Sequence, residues 1–283
     1  MHAIGCRGYG LEAFMSESTL QAQIEAAAAY ERLFVPALFQ QWSARLIEAA
    51  DVKPGDRVLD VACGTGALAR EVVSFVGPHG SVAGIDPNPG MLAIAEQQFP
   101  AAEWHCGMAE ALPYSDESFS AVVSQFGLMF FTDRSQALRE MLRVLAPGGR
   151  LVLAVWDDLD NNPAYRDLVR ILEEMAGTPA AEALRAPFAL GDQKELRKLA
   201  VSTGMTNPSI TRQGGTARFP NLQAMVEAEL RGWLPLAGID LSENKIVEII
   251  AAAELGMREY VSPNGAVVFP LSAHFMVERK AER

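Results

Sequence analysis

From residue 51 to residue 156 short apolar runs alternate with amphipathic stretches. "RVLDVAC" (57–63), "SVAGID" (81–86), "AEWHCGM" (102–108), "FSAVVSQF" (119–126) and "RLVLAVW" (150–156) read as strands. Helices are predicted between them over Gly66–Val76 and Pro89–Gln98. A third opens at the capping residue Asp133 and carries Leu138, Met141, Leu142 and Leu145 at i, i+3, i+4 and i+7. Strands that are apolar throughout and separated by helices predict a parallel sheet covered on both faces. Upstream, residues 16–50 carry a helical pattern, with Pro36 suited to open a second helix because it has no backbone donor to lose. Downstream, "DDLDNNP" (157–163) is a loop and Ala164–Ala176 a helix. Asp192 with Glu195 forms a capping box for a helix that stops at Gly204. "PSITRQGGTARF" (208–219) and "AVVFPLSAHFMVER" (266–279) read as an antiparallel pair at the sheet edge. Two amphipathic helices lie between them, one with Leu222, Met225, Val226 and Leu230 inward, the other with Ile246, Ile249, Ile250 and Ala253.

The expectation is an α/β fold, a Rossmann-like seven-stranded sheet that is mostly parallel with an antiparallel last strand. Residues 51–220 and 263–283 form the cofactor-binding core, 16–50 are N-terminal helices covering the active site, and 221–262 are a helical lid insertion. Residues 1–15 are glycine-rich, lack the order of a signal peptide and read as a flexible tail.

Composition narrows the partners. The net charge of −11 repels a phosphate backbone, so nucleic acid is not expected as a partner. No apolar run is long enough to span a bilayer. Cys6, Cys63 and Cys106 lack metal-ligand spacing and read as reduced thiols of a cytoplasmic protein, with no metal site. A homodimer is an assembly that helical lids allow.

The chemistry starts at "VLDVACGTGALA" (58–69), where a strand runs into Gly64-x-Gly66-x-x-Ala69 and then a helix. Free backbone N–H groups and the helix dipole there favour an anionic ligand group. Asp86 follows Gly66 by 20 residues and closes the second strand, in place to accept hydrogen bonds from a ribose diol. These features fit a nicotinamide or an adenosyl cofactor alike. Asp60 separates them, because a carboxylate under this loop opposes a diphosphate and suits a ligand carrying an ammonium and a sulfonium.

Four motifs in order, "VLDVACGTG" (58–66), "GIDPNPGML" (84–92), "AEALPYSDESFSAVVSQFGLMFF" (109–131) and "LRVLAPGGRLVL" (142–153), resemble the class I S-adenosylmethionine-dependent methyltransferases, specifically the ubiquinone/menaquinone-type small-molecule branch. The resemblance covers roughly residues 40–156 and speaks to the cofactor rather than the acceptor. It implies that Asp60 orients the loop and the methionyl ammonium, with Ala62, Gly64, Thr65 and Gly66 passing under the methionyl and ribose groups. Asp86 then holds the ribose hydroxyls, Pro87, Asn88 and Met91 line the adenosine, and the backbone of Ala109 and Glu110 lies near the adenine edge. Ser124 and Gln125 face the methionine moiety. Two positions depart from the family. Ala62 replaces a common glycine and is expected to forbid positive φ there, and Met108 replaces a common aspartate that meets the adenine.

The implied reaction is an in-line displacement, O- or C-methylation of a small organic acceptor. Alignment supplies much of the rate, and a base is needed only if a proton must leave first. None of His2, His79, His105 and His274 occupies a pocket position in the motifs, and no catalytic base is assigned. Tyr30, Phe34, Phe126, Trp156 and Trp233, with Gln125, are candidates for an acceptor pocket suited to an aromatic or lipophilic molecule such as a phenol, a quinone precursor or a polyketide. The alternatives are a nicotinamide-dependent oxidoreductase, which lacks an evident Tyr-x-x-x-Lys pair here, and a non-catalytic S-adenosylmethionine-binding protein.

Overall fold

The computed structural model describes residues 17–282, so the expected tail at 1–15 lies outside the described residues. All seven predicted strands form: β1 (Arg57–Val61), β2 (Ser81–Asp86), β3 (Glu103–Cys106), β4 (Phe119–Gln125), β5 (Leu145–Trp156), β6 (Ser209–Phe219) and β7 (Val267–Arg279). They lie in one sheet in the order β3-β2-β1-β4-β5-β7-β6. The pairs among β1 to β5 are parallel, and β7 runs antiparallel to both β5 and β6. β1 sits between β2 and β4, so successive crossovers leave it in opposite directions. That switch opens a crevice at the carboxyl ends of β1 and β4, the usual ligand position in an open α/β sheet.

Residues 17–49 form α1 (Glu17–Phe34), a wide π-type turn at Val35–Phe39 and α2 (Gln40–Ala49). Pro36 therefore does not open a separate helix. It lacks a donor and its ring crowds the preceding turn, and the chain absorbs both by widening one turn instead of stopping. α3 (Ala67–Val76) follows the glycine loop and α4 (Pro89–Gln98) follows β2. α1 crosses α4 at Gly90, where an added Cβ would come within 2.5 Å of the Gln23 backbone. α2 buries Trp42 completely between the ends of the strands and β6, and a Cβ on Gly215 would lie 2.5 Å from that ring.

α5 (Arg134–Val144) is capped by Asp133, as its sequence predicts. β5 starts five residues earlier than expected, at Leu145 instead of Arg150. α6 (Pro163–Ala176) is followed by α7 (Thr178–Arg185), which periodicity did not reveal, and by α8 (Gln193–Ser202). Asp192 caps α8, but the Glu195 side chain pairs with Lys198, so only half of the expected capping box is made. Between β6 and β7 lie α9 (Leu222–Glu227), a second π-type turn at Ala228–Trp233, α10 (Leu234–Leu236) and α11 (Glu243–Gly256).

Of the expected reduced thiols, Cys63 is free and buried, and Cys6 lies outside the described residues.

Trp42 contacts the rings of Phe126, Trp156 and Phe275 at centroid distances of 5.9–6.1 Å, locking α2 onto the sheet. Trp42→Ala is expected to cost about 3–5 kcal/mol of unfolding free energy, read by denaturant titration; a loss below about 1 kcal/mol would mean that α2 is not anchored by this ring.

Candidate functional site

The loop after β1 turns through Gly64 and Gly66, both at positive φ. Gly66 caps α3 in the left-handed region, and its missing Cβ leaves room for the Trp104 ring, which would otherwise lie 2.6 Å away. Ala62 also adopts positive φ, at +58°, which overturns the expectation that an alanine would forbid it. Phe126, directly after β4, has φ of +58° as well. Each non-glycine residue held this way carries strain on the order of 1–3 kcal/mol, sustained by its surroundings. The two bends meet at Gly127, where a Cβ would touch the Ala62 Cβ at 2.6 Å and the Ser124 Oγ at 2.8 Å.

Asp60 lies at the carboxyl end of β1, 1% exposed, and neither carboxyl oxygen has a hydrogen-bond partner among the described residues. Burial pushes the carboxyl up to about 8, the Ala69 amide opposing and the Asp86 charge adding to the rise. The side chain is therefore neutral near neutral pH. The Thr65 Oγ1 and Ser124 Oγ hydroxyls beside it are buried and equally unpartnered. Buried polar atoms almost always have partners, so three such residues in one place describe a binding surface.

Asp60, Ala62, Gly64, Thr65 and Gln125 line one small cavity of about 30 Å³, roofed by Tyr30 and Phe39. Gln125 Oε1 accepts a hydrogen bond from Ser43 at 3.3 Å. The Arg70 guanidinium pairs with Glu31 on α1 at 2.6 Å and donates to the Thr65 carbonyl at 3.2 Å, which holds the N-terminal helix over the loop.

Asp86 closes β2 and accepts from the Gly64 and Asn88 amides, both at 2.9 Å, so it braces the loop as well as facing it. Burial pushes its carboxyl up to about 6 while those two amides oppose the rise. Asn88 caps α4 through its side-chain oxygen, and Pro87 is exposed beside it. Ala109 and Glu110 line neither cavity. The Glu110 carboxylate instead accepts from the Thr132 and Asp133 amides at the start of α5.

A second cavity of about 660 Å³ adjoins the first, sharing Tyr30 and Phe39 as a common wall. Of the six predicted pocket residues, Tyr30, Phe34, Phe126, Trp156 and Trp233 line it, together with Asn88 and Met91, while Gln125 lines the small cavity instead. Its wall is aromatic, with Phe126 stacked on Trp156 at 3.9 Å and Phe188 linking Trp156 to Tyr165.

Tyr165, Phe188 and Glu229 escaped sequence reasoning. A signal for Glu229 was present: it fills the i+7 slot of the Leu222, Met225, Val226 stripe, where an apolar residue belongs. The histidines stay out of the site. His274 is buried against Asp157 at 2.9 Å and the Gly191 carbonyl at 2.8 Å, and His105 lies edge-on to Tyr114. His2 lies outside the described residues.

The model of the ubiE/COQ5 methyltransferase family matches residues 33–163. The ubiquinone/menaquinone biosynthesis C-methyltransferase UbiE of Ectopseudomonas mendocina is 42% identical over 127 residues, 41% of this chain and 48% of that protein. The UbiE of Pseudomonas savastanoi pv. phaseolicola is 36% identical over 207 residues, 69% of this chain and 78% of that protein. Matches to the first curated relatives span about half their length. Among solved structures, Haemonchus contortus phosphoethanolamine N-methyltransferase 2 in complex with S-adenosyl-L-methionine superposes with a TM-score of 0.57 at 18% identity, covering 92% of this chain and 57% of that one. That likeness establishes the fold, and the sequence match carries the family. The chain belongs to the ubiE/COQ5 methyltransferase family, within the class I S-adenosylmethionine-dependent methyltransferases.

Proposed function

We propose that this protein binds S-adenosylmethionine at the loop after β1 and methylates a small organic molecule, at oxygen or carbon, in the aromatic cavity. The observation that carries this reading is Asp60, a buried carboxyl with no partner at the floor of the loop. A methionyl ammonium supplies the cation it lacks, while a diphosphate would leave it neutral and unpaired. When bound, S-adenosylmethionine supplies a methyl group on a positively charged sulfur.

The chain's own residues have positioning work. Thr65, Ser124 and Gln125 surround the methionyl end, Gly64 and Gly66 let the backbone approach closely, and Asp86 uses its remaining lone pairs for the ribose hydroxyls. Asn88 and Met91 line the adenosine, and the Ala109 and Glu110 backbone borders the adenine. Residues 51–220 and 263–283 act as the cofactor core, with 16–50 and the 221–262 insertion closing over it and excluding water. Tyr30 and Phe39 line both cavities and would border the methionyl end and the acceptor alike. The quinone-type substrates in the relatives' names fit an apolar acceptor of this kind.

A cytoplasmic location without nucleic-acid partners fits the net charge of −11. Among the described residues no helix is long and apolar enough to cross a membrane. A homodimer through the insertion, which exposes Leu236, Val247 and Leu255, belongs to the same reading, and analytical ultracentrifugation reads it.

Calorimetry of Asp60→Asn against the parent is expected to show S-adenosylmethionine affinity reduced by about 2–5 kcal/mol, the cost of truncating one partner of a buried charge pair. Equal affinity in the two proteins, or tight binding of NAD by the parent with no response to S-adenosylmethionine, would defeat the reading.

Linkage gives a second expectation. Below about pH 8 the Asp60 carboxyl is protonated in the free protein, and an ammonium beside it ionises it. Binding at neutral pH should therefore release a proton from Asp60, and affinity should rise as pH climbs toward 8. Calorimetry in buffers of different ionisation enthalpy reads the proton directly; Asp60→Asn should release correspondingly less.

A further inference from the structure

One acid interrupts the apolar wall of the large cavity. Glu229 is 4% exposed, and the Tyr165 hydroxyl donates a hydrogen bond of 2.8 Å to its Oε1. Among the described residues no hydrogen bond or ion pair reaches its Oε2. Both residues line the cavity. A carboxyl in that setting is costly, and a leucine in the same slot would continue the apolar stripe. Glu229 falls on the inward face at i+7 from Leu222, and in the widened turn Ala228–Trp233 its neighbours Ala228 and Leu230 are buried with it. A row of rings leads from Phe126 through Trp156 and Phe188 to Tyr165, so a flat molecule lying along it spans from the strand ends toward this acid.

We propose that Glu229, held in place by Tyr165, is the catalytic base that removes the acidic hydroxyl proton of a hydroxyaromatic acceptor. The proposal rests on the methyltransferase reading above. The acceptor O–H bond breaks and its proton passes to Glu229 Oε2. The electron pair left behind, on oxygen or delocalised to a ring carbon, forms the new bond to the methyl carbon. The pair of the breaking carbon–sulfur bond stays on sulfur, which becomes a neutral thioether, so no oxidant or reductant is required.

The neighbouring groups fit this role. Burial pushes Glu229 up to about 7, the Tyr165 hydrogen bond opposing, which suits a base working near neutrality. Burial also pushes the hydroxyls of Tyr165 and Tyr30 well up, Tyr165 further through Glu229, so neither phenol serves as the base. The other charged groups on the cavity rim, Glu227 and Arg231, belong to the same helical stretch. Arg231 is engaged with Glu243 at 2.5 Å.

The test takes the full chain and a panel of hydroxyaromatic probes, phenols and 1,4-dihydroxynaphthalene among them. It measures turnover as S-adenosylhomocysteine formed, and probe affinity at equilibrium with S-adenosylhomocysteine bound. Glu229→Gln is expected to lower kcat by about 10²–10⁴-fold while affinities for S-adenosylmethionine and for the probe hold, and to erase the acidic limb of the pH profile. Tyr165→Phe should cost less turnover and move that limb to higher pH, because the carboxylate loses a hydrogen bond that stabilised it. Parent-like kcat and pH profile in Glu229→Gln would overturn the assignment. So would failure of every probe to bind to a parent protein that binds S-adenosylmethionine, or preference for an aliphatic amine over the phenols. Failure of the parent to bind S-adenosylmethionine at all would instead strike the methyltransferase reading. If Glu229→Gln fails to fold, Tyr165→Phe decides alone, an unmoved acidic limb counting against the base.

Discussion

An ionisable carboxyl enclosed in protein with nothing to bond to is expensive, and much of the architecture here is arranged around tolerating one. Asp60 lies near the end of a strand buried on both faces, at the point where the crossovers diverge, and is 1% exposed. Burial raises its pKa, and the charge of Asp86 adds to the rise. The loop above it is braced by Asp86 itself, through the Gly64 amide, and by Arg70 and Glu31 from the helices on either side. Strain in Ala62 and Phe126 belongs to the same arrangement, since both bends clear the carboxyl ends of β1 and β4 for a ligand.

The two cavities differ in what builds them. The small one is lined by backbone and hydroxyls, belongs to the sheet and is set by the strand ends. The large one is aromatic and owes its roof to α1, α7 and the 221–262 insertion, elements outside the family motifs. The family model correspondingly ends at residue 163, before most of that roof.

How legible was this in the sequence? The strands and the sheet order's parallel half were, because runs such as "VLDV" and "RLVLAVW" are apolar without alternation, a pattern that only a doubly covered strand explains. Asp60, the glycines and the five aromatic pocket residues were legible from position, since all precede or face a strand's carboxyl end. The raised pKa of Asp60 was not: read from sequence it is a standing anion, and only its burial pushes the carboxyl up. Ala62 misled because φ preference is weaker than the demand of a turn packed against Gly127. Glu229 lies at i+7 from Leu222, inward at 3.6 residues per turn, but a charged residue in an apolar stripe reads as a break in the stripe and not as part of a cavity wall.

One irregularity recurs. Both helical segments that roof the aromatic cavity contain a turn wound too loosely, at Val35–Phe39 and at Ala228–Trp233. Each behaves as one surplus residue in an otherwise regular coil. Removing a residue from either would restore ordinary winding and rotate everything beyond it by about 100° around the axis. Phe39 or Trp233, the last residue of each turn, would then swing away from the cavity, even though every lining side chain was retained. The spacing of these segments is thus as much a part of the cavity's shape as their composition.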